Sequence, residues 1–259
     1  MKFEQISFIM LCISFQFSCT KECPDPKPDT TNVQLTKGLV AYYPFNANTN
    51  DESGNNNHGS LINGSSLTYD ENGKSLSSLN INGIGQKMLV QNNGKIYFDT
   101  TMTISFHVMP RAINRSNFIG MANDANGKGT GFVIGTAIPG NSNLIYSLSN
   151  NEVTCDVLQT SNIQVSNIDA GITLQPESWY HILCSYNKGI MKLYINGVLK
   201  STRNSKDNTM HTCPNADLLI GGWWSGDPDA SFNGKIDEIR LYNRELHPDE
   251  IVKLAESFQ

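Results

Sequence analysis

Two groups of residues in this 259-residue chain have the types and spacing to do chemistry. The first is Gly221-Gly222-Trp223-Trp224-Ser225-Gly226-Asp227-Pro228-Asp229. Neighbouring side chains on an extended backbone point to opposite sides, so at most one of the two tryptophans packs inward. Trp224, nearer the Ser-Gly-Asp-Pro turn, is the ring expected outside, beside Asp227 and Asp229. An aromatic ring next to hydrogen-bonding groups suits a sugar, whose apolar face stacks while its hydroxyls are bonded. The alternative is that both rings staple the loop to a sheet. The second group is Asp51, Ser53 and Asn55, followed by Asn57, which puts side-chain oxygens at alternate positions around Gly54. Hard cations such as calcium collect many oxygen ligands, and a glycine-bearing loop can wrap to supply them. Asp237 is the expected fourth ligand. On a strand through residues 236–242 it shares a face with Ile239 and Leu241, and a carboxylate among apolar groups is costly unless paired, hydrogen-bonded or metal-bound. The alternative is that Asp51 caps a turn and Asp237 accepts backbone N–H bonds.

The elements that must position these residues are strands and turns. Residues 39–45 (LVAYYPF) are β-branched and aromatic, and Pro44 suits an edge or a bulge. Residues 102–110, 130–137 and 143–149 are further apolar runs bounded by Gly, Asn and Pro. A hairpin joins 178–186 to 191–195 through Asn187-Lys188-Gly189, and Asn196-Gly197 marks a second turn of the type that favours positive φ. Met191, Leu193 and Ile195 alternate with Lys192 and Tyr194, giving one buried and one wetted face. Ile182 and Cys184 share a face, so Cys184 reads as a small buried hydrophobe. Only residues 247–254 read as helix, with Pro248 and two acids in the first turn. This pattern predicts an all-β, two-sheet antiparallel sandwich with a short C-terminal helix.

Four segments in this order resemble laminin G-like, concanavalin A-like jelly rolls: GLVAYYPFNANTNDESGNNNHG (38–59), MTISFHVMP (102–110), SWYHILCSYNKGIMKLYINGVL (178–199) and LLIGGWWSGDPDASFNGKIDEIRLYNREL (218–246). The terminal HPDEIVKLAE resembles the helix that closes such domains. The resemblance covers residues 37–259, except that His107 stands where a Trp is common and residues 150–176 form an Asn- and Ser-rich insertion. It implies that Trp179 is a core position and that Asp51 and Asp237 lie where the family often holds calcium. His107 and His181 read as strand residues rather than ligands. The family includes both binding modules and glucanases, so fold leaves activity open. Its glucanases carry Glu-x-Asp-x-(x)-Glu on one strand, because alternate residues face one way and two carboxylates can flank a glycosidic bond. No such motif occurs; Asp237 and Glu238 are adjacent and are expected to face opposite sides. A G-x-S-x-G nucleophile elbow is also lacking. No catalytic residue is therefore assigned.

The chain opens with an apolar run at residues 6–17, too short to cross a bilayer and suited to a secretory signal. It ends at Gln16-Phe17-Ser18-Cys19, which resembles a bacterial lipoprotein box with Cys19 as the lipidated residue; ordinary cleavage, leaving Cys19 unmodified, is the alternative. The expected organisation is a lipoprotein signal peptide at 1–18, the lipid attachment site and a Pro-rich tether at 19–36, and the jelly roll at 37–259. In an oxidising compartment, Cys155 and Cys213, both in polar loop-like surroundings, are the expected disulfide. Net charge is −5 with 19 basic residues, which gives no concentrated basic face for nucleic acid. The expectation is an exported monomer, lipid-anchored in the cell envelope at the outer membrane or cell surface, that binds a glycan without cleaving it. An adhesion module contacting protein and an unrecognised glycoside hydrolase are the other readings.

Overall fold

The computed structural model describes residues 33–83, 85–122, 131–136, 143–150, 164–206, 208–210, 213, 216–222 and 231–257. Fifteen strands and one helix follow one another among these residues. They begin with β1 (Leu39–Tyr43), β2 (Ser60–Ile62), β3 (Ser66–Thr68), β4 (Ser78–Asn82) and β5 (Lys87–Val90). The long strand β6 (Thr101–Pro110) precedes β7 (Ser116–Ala122), β8 (Phe132–Thr136), β9 (Asn143–Asn150) and β10 (Gln164–Thr173). After β11 (Tyr180–Asn187), β12 (Ile190–Ile195) and β13 (Val198–Asn204) come β14 (Asp217–Ile220), β15 (Asn233–Tyr242) and α1 (Pro248–Glu256).

The strands form two antiparallel sheets. One runs β13-β12-β11-β6-β15-β4-β3, with β1 also paired to β15; the other runs β10-β9-β8-β7-β14-β5-β2. Period-two alternation turns Met102, Ile104, Phe106 and Val108 of β6, Ile182 and Cys184 of β11, and Met191, Leu193 and Ile195 of β12 into one shared core. From the facing sheet come Phe118, Phe132, Tyr146 and Leu218, with Phe118 edge-on to Phe232 at 5.0 Å between ring centres. The two hairpin turns have the backbone their residues favour. Lys188 and Gly189 lie at φ 43° and 90°, and Asn196 and Gly197 at φ 51° and 75°. Part of the 150–176 insertion is ordinary sheet, because β10 pairs with β9 from Gln164↔Asn150 onward.

One irregularity controls everything on the outer side of the first sheet. In β15, Ile236 and Asp237 oppose Val108 and His107, but Arg240 then opposes Ser105, so β15 carries one extra residue. Glu238, at φ 52°, sits in this bulge. Before it β15 pairs with β4; after it β15 pairs with β1. Ile236, Ile239 and Leu241 all reach the core, so the bulge turns Asp237 to the outer face. The expectation that Asp237 shares the face of Ile239 and Leu241 is corrected here. Beyond the bulge, the outer face is covered by α1, whose Ile251 and Leu254 pack with Leu183, Tyr242 and Leu246. Glu250 pins this helix by accepting the His247 N–H at 2.7 Å and pairing with Arg244 at 2.5 Å.

Candidate functional site

Trp223, Trp224, Asp227 and Asp229 lie outside the described residues, but the two feet of their loop are placed. The Phe232 N–H donates to the Gly221 carbonyl at 3.1 Å, the Gly85 N–H to Ser231 Oγ at 3.1 Å, and Asn117 Nδ2 to the Gly222 carbonyl at 2.7 Å. A side chain at Gly222 would meet the Gln86 carbonyl at 2.7 Å, which explains glycine in this packed foot. The loop springs from the rim where Arg111 and Asn233 meet. The Arg111 guanidinium donates to Asn80 Oδ1 at 2.5 Å, to the Ile81 carbonyl at 3.1 Å and to Asn233 Oδ1 at 3.3 Å.

The 51–57 loop runs along the edge of β1 that faces away from β15. Tyr42 turns its N–H to Asp51 Oδ1 (2.9 Å) and its carbonyl to the Glu52 N–H (2.8 Å). The Asp51 carboxylate accepts three further bonds, from the Ser53 N–H, Ser53 Oγ and the Asn57 N–H, each at 2.9 Å. Asn55 Nδ2 donates to the Leu39 and Val40 carbonyls at 3.0 Å. The Asp51 carboxylate and Ser53 Oγ therefore already serve protein donors, and Asn55 turns its amide nitrogen to the strand. Asp237 is on the far side of β1, where its Oδ1 accepts the Glu238 N–H at 2.7 Å. Among the described residues no three His, Cys, Asp or Glu side chains gather closely enough to share an ion. As placed, Asp51, Ser53, Asn55 and Asp237 do not fit a calcium cage, and the hydrogen-bonding account of both carboxylates matches the geometry.

On the outer face, cross-strand register lines up His181, His107 and Asp237 in one row. The two imidazole centres are 4.9 Å apart, and His181 Nε2 meets Ser105 Oγ at 2.8 Å. Burial, then the neighbouring His181 and Arg240, pushes His107 down to about 2; burial and Arg240 push His181 down to about 3. Burial, reinforced by the Glu238 charge, lifts Asp237 to about 8. Because of the bulge, Glu238 also turns outward, against the expectation that it faces away from Asp237. There it accepts from Tyr42 OH at 3.0 Å and pairs with Arg240 at 2.7 Å, while that guanidinium lies 4.0 Å over the Tyr42 ring. The Ser105–His181 pair has the chemistry of a nucleophile and base, yet the two residues are only 1% and 3% exposed. Among the described residues, Nδ1 of His181 has no hydrogen-bond partner, so no carboxylate orients it.

Trp179 departs from its expected core position. It is half-buried and absent from the core cluster, while the next residue, Tyr180, packs against the core. Since Tyr180 opposes Val108, alternation places Trp179 beside Met109 on the outer face. The row continues through Lys235, which opposes both Met109 and Asn80, to Ser66 opposite Asn80. Sequence reasoning missed Tyr42, Ser105, Arg240, Arg111 and Asn80. The signal for Ser105 was present, since Thr103, Ser105 and His107 alternate with apolar residues along β6. Cys213 is buried and disulfide-bonded, its partner falling outside the described residues, as does Cys155; Cys184 is a free, buried thiol.

Solved structures share the fold. Domain 4 of AbnA, a GH43 extracellular arabinanase from Geobacillus stearothermophilus, solved with arabinotriose, is 23% identical, with a TM-score of 0.58 over 84% of this chain and 98% of its own. The binding domain of Paraclostridial Mosquitocidal Protein 1 is 20% identical, with a TM-score of 0.63, and matches 87% of this chain. Botulinum neurotoxin type C, which depends on two ganglioside molecules to enter cells, is also 20% identical, with a TM-score of 0.63 over 87% of this chain. The chain spans about half of each toxin chain, 53% and 52%. A comparison with curated proteins gives no match. The family profile that does match covers residues 82–252, more than half of the sequence, and by that match the chain belongs to the concanavalin A-like lectin/glucanases superfamily.

Proposed function

We propose that the protein is a non-catalytic glycan-binding module. The observation that carries this reading is the rigid seat of the Trp223-Trp224 loop. Its feet are tied strand to strand and open beside Arg111, Asn80 and Asn233, polar groups already held in place by one another. Fixed hydrogen-bonding groups favour sugars, because little side-chain entropy is lost when hydroxyls replace water. The protein-contact reading lacks such a focus, and hydrolysis lacks the strand-borne Glu-x-Asp-x-(x)-Glu spacing in the sequence. Binding of the purified protein to a glycan array, with reducing ends assayed in parallel, is the test. Selective glycan binding without product release is expected. Silence on all glycans would favour the adhesion reading, and released reducing ends would establish hydrolysis.

The proposal extends to location: Cys19 is the lipidated N-terminus, the Pro-rich stretch a tether, and Cys155 the partner of Cys213. Replacement of Cys19 by Ser is expected to shift the protein from the membrane fraction to the soluble fraction or leave it unprocessed. Unchanged membrane association would refute lipidation.

A further inference from the structure

Asn-Gly pairs carry a chemistry of their own, because a glycine has no Cβ to shield its amide nitrogen and turns easily. That nitrogen can attack the side-chain amide before it and close a five-membered imide. Among the described residues such pairs begin at Asn63, Asn72, Asn82, Asn93, Asn196 and Asn233. The fold restrains all but one of them. Asn63 Nδ2 donates to the Gly85 carbonyl at 2.9 Å, and Asn196 Oδ1 accepts the His181 N–H at 2.8 Å. Asn82 and Asn233 oppose each other in β4 and β15, and a strand held in register cannot curl its main chain back onto a side chain. After Asn72, the Gly73 N–H donates to the Asp70 carbonyl at 3.3 Å.

Asn93 is the exception. The main chain on either side of it is clamped: the Ile96 N–H donates to Asn92 Oδ1 at 3.0 Å, and Asn92 Nδ2 returns a bond to the Ile96 carbonyl at 2.7 Å. Asn92 is tied in turn to the second sheet, its N–H donating to Asp217 Oδ1 at 2.8 Å. Asn92 and Ile96 are therefore buried, while Asn93, Gly94 and Lys95 stand in solvent. Neither the Asn93 side chain nor the Gly94 N–H has a hydrogen-bond partner among the described residues. Gly94 lies at φ 82°, and beyond its chain neighbours nothing comes within 4 Å of where its Cβ would stand. Nucleophile and electrophile are adjacent, exposed and unhindered. Lys95, next in the chain, donates to the Asn55 carbonyl at 3.2 Å, so a charge created at Asn93 is felt at the edge of the 51–57 loop.

We propose that Asn93 is a site of spontaneous self-modification. Hydroxide removes the Gly94 amide proton, the nitrogen bonds to Asn93 Cγ, the Cγ–Nδ2 bond breaks, and ammonia leaves with a proton from water. Water then opens the imide at either carbonyl, giving aspartate or isoaspartate, with no change of oxidation state. Both products add a carboxylate to this loop, and isoaspartate also lengthens the main chain inside the Asn92–Ile96 clamp. Incubation of the purified full protein at mildly alkaline pH, followed by peptide mapping that resolves aspartate from isoaspartate, tests it. In the folded protein Asn93 is expected to convert roughly fivefold to tenfold faster than Asn63 or Asn196, the advantage of an amide that breaks no hydrogen bond before reacting. In strong denaturant the rates should converge, since every site keeps the same pair of residues and loses its restraint. The exposed Asn93→Gln variant should melt as the wild type does and show no conversion at this position. Conversion in the folded protein led by any other of these pairs overturns the proposal, as does an Asn93 advantage that persists undiminished in denaturant.

Discussion

His107 and His181 are held neutral far below their ordinary value of 6.5, at about 2 and 3, chiefly by burial. The unfolded chain binds protons at these rings that the folded chain refuses. Their stabilising contribution is therefore complete above the ordinary histidine range and is lost as pH falls from there toward the folded values. Asp237 acts with the opposite sign. Its value rises from 3.8 to about 8, so its contribution is complete below the unfolded value and is lost as pH rises through about 8. Two histidines outweigh one aspartate on the acid side, and the aspartate acts alone on the alkaline side. Maximum stability is expected near the ordinary histidine value. Thermal midpoints measured between about pH 3 and pH 9 should show it: His107→Gln should flatten the acid limb, and Asp237→Asn the alkaline limb. An acid limb of the same slope in His107→Gln would mean that other groups set it.

The 51–57 loop is an element whose order depends on one side chain. Asp51 accepts four hydrogen bonds, one buried and three part-buried, strengthened by its charge. Asp51→Ala leaves the Tyr42 and Asn57 N–H groups unpaired and should cost about 2–4 kcal/mol of stability. Because these oxygens already serve donors, the wild-type midpoint is expected to be the same with calcium as with a chelator. A midpoint raised by calcium would instead establish an ion that rearranges the loop. Much at this scale was legible in the sequence. Alternation assigned Ile182, Cys184, Met191, Leu193 and Ile195 to the core, and Pro248 with its acids marked the helix start. The phase of β15 was not legible. A single bulge residue reverses every side chain beyond it, and Glu238 is not a residue type that announces positive φ. The error on Asp237 follows from that one residue. Trp179 differs for another reason: the family resemblance makes it a core position, whereas alternation back from Tyr180 puts it on the side of His181. The reading of the Trp223-Trp224 loop falls outside the described residues.

In the whole molecule, β15 is flanked by β6 on one side and by β4 and β1 on the other, so the last strand in sequence lies inside its sheet. A chain ending at Phe232 should show no cooperative unfolding transition, whereas one extended through α1 should regain it; circular dichroism during heating distinguishes them. A native-like transition in the shorter chain would mean that β6 and β4 can find another arrangement. The same placement bears on time. Leu39 must wait for Tyr242, and loop closure over such a separation is slow. Synthesis supplies the chain from its N-terminus at about 5–20 residues per second. Throughout that interval β6 lacks the strand that links it to β4 and β1, and the first sheet stays divided. For a protein proposed to leave the cytoplasm, a bridging strand that arrives after its neighbours lengthens the time in which the first sheet is still open to translocation.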